Sequence, residues 1–368
     1  MRAVHLTAAG LAVVLLAGCI NVNVRAPSFG GGDGDKPGQL PGGSRDSAQG
    51  VTGAMLGAEQ GLLFYAFNTL AYPREPVDLA ARTTTPTLDG VKGATITFYD
   101  NRSQLVGSAV ADERGTATVA WTPPAQGDYR FTAGIVSLPE GTREGRNVQA
   151  ITPAPLLVAA RSRDGRFVVI DLDHTIVDSS FWRVLLGSAR PAEDSVRVTK
   201  RIAAKYNLIY LTHRPDLLTR KSKEWLAQHG YPPAPLLVSD VKSALPGSGA
   251  FKTARLAEIT KAYPNVEIGI GDKISDAQAY VDSGLVAYLL PDCDRDDAKN
   301  MRKMADQLRL LRDRGKIQVV SNWRQVEAGI FSGKRFAPKA FGDSLTRQAD
   351  RLDAERKAKK DPHDEDHD

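Results

Sequence analysis

Phe167-Val-Val-Ile-Asp-Leu-Asp-His-Thr-Ile176 decides how this chain folds. The apolar run reads as a buried β-strand that delivers Asp171, Asp173 and Thr175 at its carboxyl end. Side chains alternate along a strand, so residues 171 and 173 project to the same side, and open α/β sheets bind their ligands where strands end. Two carboxylates therefore meet one site. That pairing suits the hydrolysis of phosphate monoesters, whose uncatalysed rates demand enhancements of up to ~10²¹. One Asp can split the reaction through an aspartyl-phosphate, while the other protonates the leaving alkoxide and later activates water.

Beyond residue 161 strands alternate with helices, the pattern of a parallel sheet with right-handed crossovers. Strands are expected at 167–171, 208–211, 235–238, 266–270 and 285–290, and helices at 193–206, 217–229, 252–263, 275–282 and 294–314. In the last of these, Met301, Met304, Leu308 and Leu311 have the spacing of a core stripe.

Three further segments supply chemistry near those strand ends. Leu208-Ile-Tyr-Leu-Thr-His-Arg-Pro215 ends in Thr212, whose hydroxyl can donate to a phosphate oxygen, with His213 and Arg214 as nearby cations. Phe251-Lys252 opens a helix from which Lys252 can neutralise a transferring phosphate. Val266-Glu-Ile-Gly-Ile-Gly-Asp-Lys-Ile-Ser-Asp276 runs a strand into Asp272, with Asp276 one helical turn on. Oxygen ligands of this kind suit Mg²⁺, which binds through a few carboxylates plus substrate phosphate. Crowded carboxylates raise one another's pKa, and a divalent cation is the natural compensation.

The ordered set resembles the haloacid dehalogenase superfamily. Asp171-Leu-Asp-His-Thr175 matches its nucleophile motif, Thr212 its phosphate-binding hydroxyl, Lys252 its lysine and Gly271-Asp-Lys-Ile-Ser-Asp276 its metal motif. The resemblance implies a Rossmann-like α/β fold and specific roles. Asp171 would be nucleophile and metal ligand, and Asp173 the acid/base with its backbone carbonyl on Mg²⁺. Asp272 would be a further ligand, Asp276 would bind or orient the metal, and Thr212, Arg214 and Lys252 would hold phosphate.

A narrower likeness, over residues 165–291, is to phosphatidate phosphatases of the lipin and actin-patch-associated type. It rests on Val168-Val-Ile-Asp-Leu-Asp-His-Thr-Ile, Ile209-Tyr-Leu-Thr-His-Arg-Pro, Thr219-Arg220, Trp225-Leu226, Phe251-Lys252 and Gly269-Ile-Gly-Asp-Lys-Ile-Ser-Asp-Ala-Gln-Ala-Tyr280. Two positions depart from the pattern: His174 replaces the usual Gly, and Thr212 the usual Ser. The intervals from Thr175 to Leu208 and from Arg214 to Lys252 are largely consumed by helices and strands, which leaves no room for a large cap domain. The expectation is an open site for a bulky or membrane-embedded ester. Phe181, Trp182, Val184, Leu185 and Leu186 could form an apolar flap beside it.

The amino-terminal part reads differently. Short β-rich runs at 62–70, 77–83, 94–99, 105–111, 116–121, 128–135 and 156–160, with turns at Asp89-Gly90 and Asp112-Glu-Arg-Gly115, point to an antiparallel sandwich. Phe98-Tyr-Asp, Asp112-Glu-Arg-Gly-Thr-Ala-Thr-Val and Gly127-Asp-Tyr-Arg-Phe-Thr-Ala resemble bacterial Ig-like domains, which implies a spacer or binding module. Ahead of it, Arg2, the apolar stretch 6–18 and Leu16-Ala-Gly-Cys19 resemble a lipoprotein signal, implying cleavage before Cys19 and its lipidation. As a helix that stretch reaches about 20 Å, short of a bilayer core of ~30 Å. The Gly- and Pro-rich residues that follow read as a flexible tether.

The expected plan is thus a signal peptide (1–18), tether (19–57), Ig-like sandwich (58–161), phosphatase-like α/β domain (162–335) and charged, disordered tail (336–368). The net charge of +5 comes from 48 basic and 43 acidic residues mixed along most of the chain, which reads as a solvated surface. Aromatic and basic residues do not interleave into a nucleic-acid reading surface. With Cys19 lipidated, Cys293 is the remaining thiol, so no internal disulfide forms.

The function expected is a Mg²⁺-dependent phosphatase, exported and anchored in the bacterial envelope membrane through Cys19, acting on phosphatidate or a related lipid phosphate. A broad acid phosphatase for nucleotides or phosphoproteins is the alternative enzyme. A noncatalytic surface-binding lipoprotein is the alternative of another class.

Overall fold

The computed structural model describes residues 56–179, 188–241 and 247–358. The signal segment, Cys19, nearly all of the tether, the apolar stretch around Trp182 and residues 359–368 lie outside them. The chain forms two compact units. One holds the described residues up to 67 together with 77–121 and 130–156; the other holds 68–76, 122–129 and 157–358.

Eight strands precede residue 161: β1 (Leu63–Ala66), β2 (Thr69–Ala71), β3 (Val77–Thr84), β4 (Thr95–Asp100), β5 (Leu105–Val110), β6 (Thr116–Trp121), β7 (Gly127–Ser137) and β8 (Ala154–Ala160). They make a three-stranded sheet, β1-β3-β6, and a five-stranded one, β2-β8-β7-β4-β5. Leu79, Ala81, Ile96, Phe98 and Phe131 are buried. The β5–β6 turn follows from its residues: the Asp112 carboxylate accepts from the amides of Arg114 (2.8 Å) and Thr116 (2.9 Å). Gly115 takes φ +74° there, and a Cβ would lie 1.9 Å from the carbonyl oxygen of Thr83. One pairing departs from the antiparallel expectation, since β2 and β8 run parallel. Strands so far apart in sequence need no hairpin, so nothing forces them to be antiparallel.

The second unit is built on six parallel strands: β9 (Phe167–Ile170), β10 (Asn207–Pro215), β11 (Leu236–Ser239), β12 (Val266–Gly271), β13 (Val286–Leu289) and β14 (Ile317–Val319). Their order is β11-β10-β9-β12-β13-β14. Helices connect and extend them: α1 (Ser195–Ala203), α2 (Thr219–Gln228), α3 (Gly247–Ala262), α4 (Ile274–Asp282), α5 (Ala298–Arg309), α6 (Trp323–Ser332) and α7 (Pro338–Ala358).

Both faces of the sheet are covered. Phe167 and Val169 pack into one apolar cluster with Phe251, Leu256, Ala277 and Tyr280, while Val168 and Ile170 pack into another with Val198, Ile202, Trp225 and Trp323. That is why β9 reads as an unbroken apolar run instead of an alternating one. Strand order reverses direction at β9, between β10 and β12, the point where doubly wound sheets open a crevice at their carboxyl ends.

Two expectations need correction. Residues from 336 on do not form a disordered tail, because α7 lays Leu345 and Ala349 into the core beside Met301, Ala305 and Leu308 of α5. Arg302 reaches Asp350 and Asp353 at 2.7 Å each. Phe341, Leu345, Ala349 and Leu352 recur at helical spacing, a stripe obscured in the sequence by the charges between them. The α/β domain therefore runs past 335, and it includes β14 and α6, which the strand and helix patterns missed. No described helix is long and apolar enough to cross a membrane.

Candidate active site

The carboxyl ends of β9 and β12, helix α3 and the first turn of α4 bring Asp171, Asp272, Lys252 and Asp276 together. Asp171 follows β9 directly, and its amide donates to the Ile270 carbonyl of β12 at 2.9 Å, which stitches the two strand ends into one wall. Asp272 follows β12, and Asp276 lies in the first turn of α4. Ligand oxygens of Asp171, Asp272 and Asp276 lie within 4.8 Å of one another. All three residues are buried. Close approach at this corner depends on Gly269, where a Cβ would meet the Tyr280 ring at 2.2 Å.

Lys252 is 1 % exposed and lies between two of these carboxylates, its Nζ 3.0 Å from Asp171 Oδ1 and 2.5 Å from Asp276 Oδ2. Helix α3 starts five residues earlier than expected, which places Ser248 one turn before Lys252. Its hydroxyl donates to Asp276 Oδ1 at 3.1 Å. Asp276 thus anchors the lysine and keeps lone pairs on both oxygens.

Burial pushes the Asp171 carboxyl up, Lys252 pulls it back, and Asp276 and Asp173 raise it again, leaving it above the ordinary carboxylate range. Burial, then Asp171 and Asp276, hold Asp272 well above that range. Burial alone would lower the Lys252 ammonium, but Asp171 and Asp276 outweigh it and raise it well above its usual value.

Ionised together, three buried carboxyls would outweigh the single Lys252 ammonium, and Asp272 Oδ1 is buried without a partner among the described residues. This all-oxygen donor set fits a hard divalent cation such as Mg²⁺. Asp171 and Asp272 would hold it, with Asp276 beside them.

Asp173 is placed elsewhere. Its carboxylate is not part of the cluster but faces Arg214, with Nη2 2.7 Å from Oδ1 and Nε 3.0 Å from Oδ2. Arg214, expected as a phosphate ligand, is 4 % exposed and spends its guanidinium on Asp173 and on Ser222 of α2. Thr212 lies within β10, which runs on to Pro215 where the sequence pattern ended the strand at 211, and its Oγ1 accepts from the Arg214 amide at 3.3 Å. Its hydroxyl hydrogen remains available to a phosphate. The His213 ring lies 5.4 Å from that of Phe251, and burial followed by Lys273 and Lys252 lowers its pKa.

His174 adopts φ +54°, the left-handed conformation that glycine takes without a Cβ penalty. This accounts for the glycine usual at that position in the lipin-like pattern. Its Nδ1 lies 3.0 Å from Asp292 beyond β13, and that hydrogen bond raises the imidazole's pKa while lowering the carboxyl's. The Trp323 indole donates to the Thr175 carbonyl at 2.9 Å and backs the loop from inside.

Ser222, Ser248, Asp292 and Trp323 were not legible as site residues. Only Ser248 left a signal, its i,i+4 spacing from Lys252. The others come from distant segments. Among the described residues, the 175–207 interval holds α1 and no further helix or named strand, and the 214–252 interval holds α2, β11 and the start of α3 with one short helical turn. No inserted cap domain is found there.

Residues 168–288, about a third of the chain, are similar to the family model described as PITM 1-3, LNS2 domain. No curated protein matches the chain. Solved structures with some likeness include a chain of the Pnkp1/Rnl/Hen1 RNA repair complex, 18% identical, with a TM-score of 0.32. That alignment covers 36% of this chain and 44% of the other. Another is the CARDB domain of PF1109 from Pyrococcus furiosus, 20% identical over 27% of this chain and 87% of that one, with a TM-score of 0.20. Likenesses at these scores carry no argument about activity.

Proposed function

We propose that this protein is a Mg²⁺-dependent phosphomonoesterase that works through an aspartyl-phosphate on Asp171, with a lipid phosphate such as phosphatidate as its substrate at a bacterial envelope membrane. The observation behind this reading is the convergence of Asp171, Asp272 and Asp276 around Lys252 at the switch point of a doubly wound sheet.

In this scheme Asp171 attacks phosphorus while Thr212 and Lys252 hold the phosphoryl oxygens. Asp173 gives a proton to the ester oxygen as its bond to phosphorus breaks. A water then bonds to phosphorus, gives its proton to Asp173, and displaces Asp171 as the carboxylate. A bound Mg²⁺ would supply positive charge against the phosphoryl group and the crowded carboxylates. The shortness of the 175–208 and 214–252 intervals, which among the described residues hold no cap domain, the LNS2 match and the lipobox-like Leu16-Ala-Gly-Cys19 favour a membrane-borne ester over a small metabolite.

The test is hydrolysis of an aryl phosphate, and of phosphatidate in mixed micelles, with Mg²⁺ or a chelator. Asp171→Asn is expected to lower kcat by at least about three orders of magnitude. Activity unchanged by that substitution rules out the nucleophile, and faster turnover of soluble nucleotides than of phosphatidate moves the substrate to the broad-specificity class.

A further inference from the structure

The guanidinium of Arg214 has little left to offer a phosphate. Nε lies 3.2 and 3.0 Å from the two oxygens of Asp173, Nη2 lies 2.7 Å from Oδ1, and Nη1 donates to Ser222 Oγ at 2.9 Å. All three nitrogens are engaged, and the side chain is buried to 2 % exposure against 22 % for Asp173. A planar fork on a carboxylate fixes both its distance and the plane in which its oxygens lie, which a single ammonium cannot do. Ser222, on α2, holds the fork from behind. Asp173 is therefore presented at a set angle from the loop after β9 by groups that belong to β10 and α2.

We infer that Arg214 is a positioning residue that aims the Asp173 carboxyl at the ester oxygen, with Ser222 as its anchor, and is not a phosphate ligand. The inference rests on the phosphatase reading and deepens it. Strand β10 then divides two tasks between residues two apart: Thr212 receives the phosphoryl group, and Arg214 sets the geometry of proton transfer to the departing alcohol. Misplacing a group by about 1 Å can cost on the order of 10²-fold in rate, so a loosened clamp is expected to act on kcat.

The experiment compares Arg214→Lys and Ser222→Ala with the unaltered protein on ring-substituted phenyl phosphates, from a nitro-substituted leaving group, which departs with little help, to a methoxy-substituted one, which needs a proton. For Arg214→Lys the loss of kcat is expected to be at least about tenfold greater on the methoxy than on the nitro ester, with KM within about twofold. Ser222→Ala, which keeps both charges, is expected to change the same slope more weakly, and it serves as the test if Arg214→Lys does not fold. In an Asp173→Asn background, Arg214→Lys is expected to add less than about threefold.

Equal losses on all esters, a rise in KM as the main effect, or fully multiplicative losses in the double variant would each overturn the clamp and return Arg214 to phosphate binding. Failure of the phosphatase reading shows separately, as activity that survives Asp171→Asn. If no ester is turned over, thermal melts of the same two-by-two set of variants decide the pairing, and additive falls in Tm refute it.

Discussion

The two units bury polarity in different ways. Among the described residues of the first, the buried polar side chains are Arg82, Thr83, Thr84 and Thr97. Only one of the four is ionic: Arg82 donates to Thr116 at 2.8 Å across β3 and β6, Thr97 bonds Ser108 at 2.6 Å across β4 and β5, and the Thr83 and Thr84 hydroxyls are buried without a partner among the described residues. In the second unit the fold gathers Asp171, Asp272, Asp276 and Lys252, distant in sequence, into one buried cluster, and buries Arg214 against the nearby Asp173. Buried charge stabilises a fold poorly, since desolvation offsets most of the attraction between partners. A unit built for stability alone would not concentrate it in one place. The contrast separates a sheet region whose polar groups serve packing from one whose polar groups are organised for chemistry.

The sharpest way to break that contrast is Asp272→Asn. With about 100 Kd of Mg²⁺, the proposed cation binding to the native state is expected to stabilise the unaltered protein by about 2.7 kcal/mol. The variant is expected to lose nearly all of that gain and at least about 10²-fold in turnover, read by thermal melts with and without a chelator beside the ester assay. A full Mg²⁺-dependent rise in Tm in the variant would dissolve the proposed centre.

Leu345→Ala tests how far the second unit extends. Leu345 is fully buried on α7, so its truncation is expected to cost about 2–5 kcal/mol in denaturant unfolding. A surface-like loss of a few tenths would restore the charged tail.

Without metal, the raised Asp171 and Asp272 carboxyls bind protons in the folded state that the unfolded chain releases. Their contribution is present in acid, below the ordinary carboxylate value near 4, and is lost as pH rises through the higher folded-state values. Chelated protein should therefore lose Tm from this site as pH rises above that ordinary value. Saturating Mg²⁺ should reverse the sign, because the cation needs both groups ionised.

The smallest effect is assigned to the other unit. Asp112→Ala removes the acceptor for two turn amides and is expected to cost about 1 kcal/mol of stability, with kcat of the folded protein unchanged. A fall in kcat there would show that the two units are not chemically independent.

Much of the site was legible before folding because its members end strands. Asp171, Thr212 and Asp272 each follow an apolar run, and a run followed by a polar residue is a local pattern that needs no tertiary information. Lys252 was singled out at the start of a predicted helix and strengthened by resemblance, and its placement between Asp171 and Asp276 follows from where α3 packs. Arg214 was assigned to phosphate because a cation beside a phosphate-binding hydroxyl has that as its ordinary task. Its pairing with Asp173 spans 41 positions, which no local spacing encodes. Helix α7 was missed for a related reason: its apolar stripe is narrow, and only the facing surface of α5 gives that stripe something to cover.

What the amino-acid order determined by itself is the alternation of apolar runs and helical stripes, and with it which residues arrive at the ends of strands. Period and polarity are local, and burial acts on them wherever the strand lies in the sheet. What only the tertiary structure decided is the partnership among those ends. Strand order put β9 between β10 and β12, so that Asp171 met Lys252 and Asp276 while Asp173, two residues on, was taken by Arg214. Electrostatic pairing at 2.5–3 Å is set by which elements become neighbours, and that follows from the packing of the whole sheet.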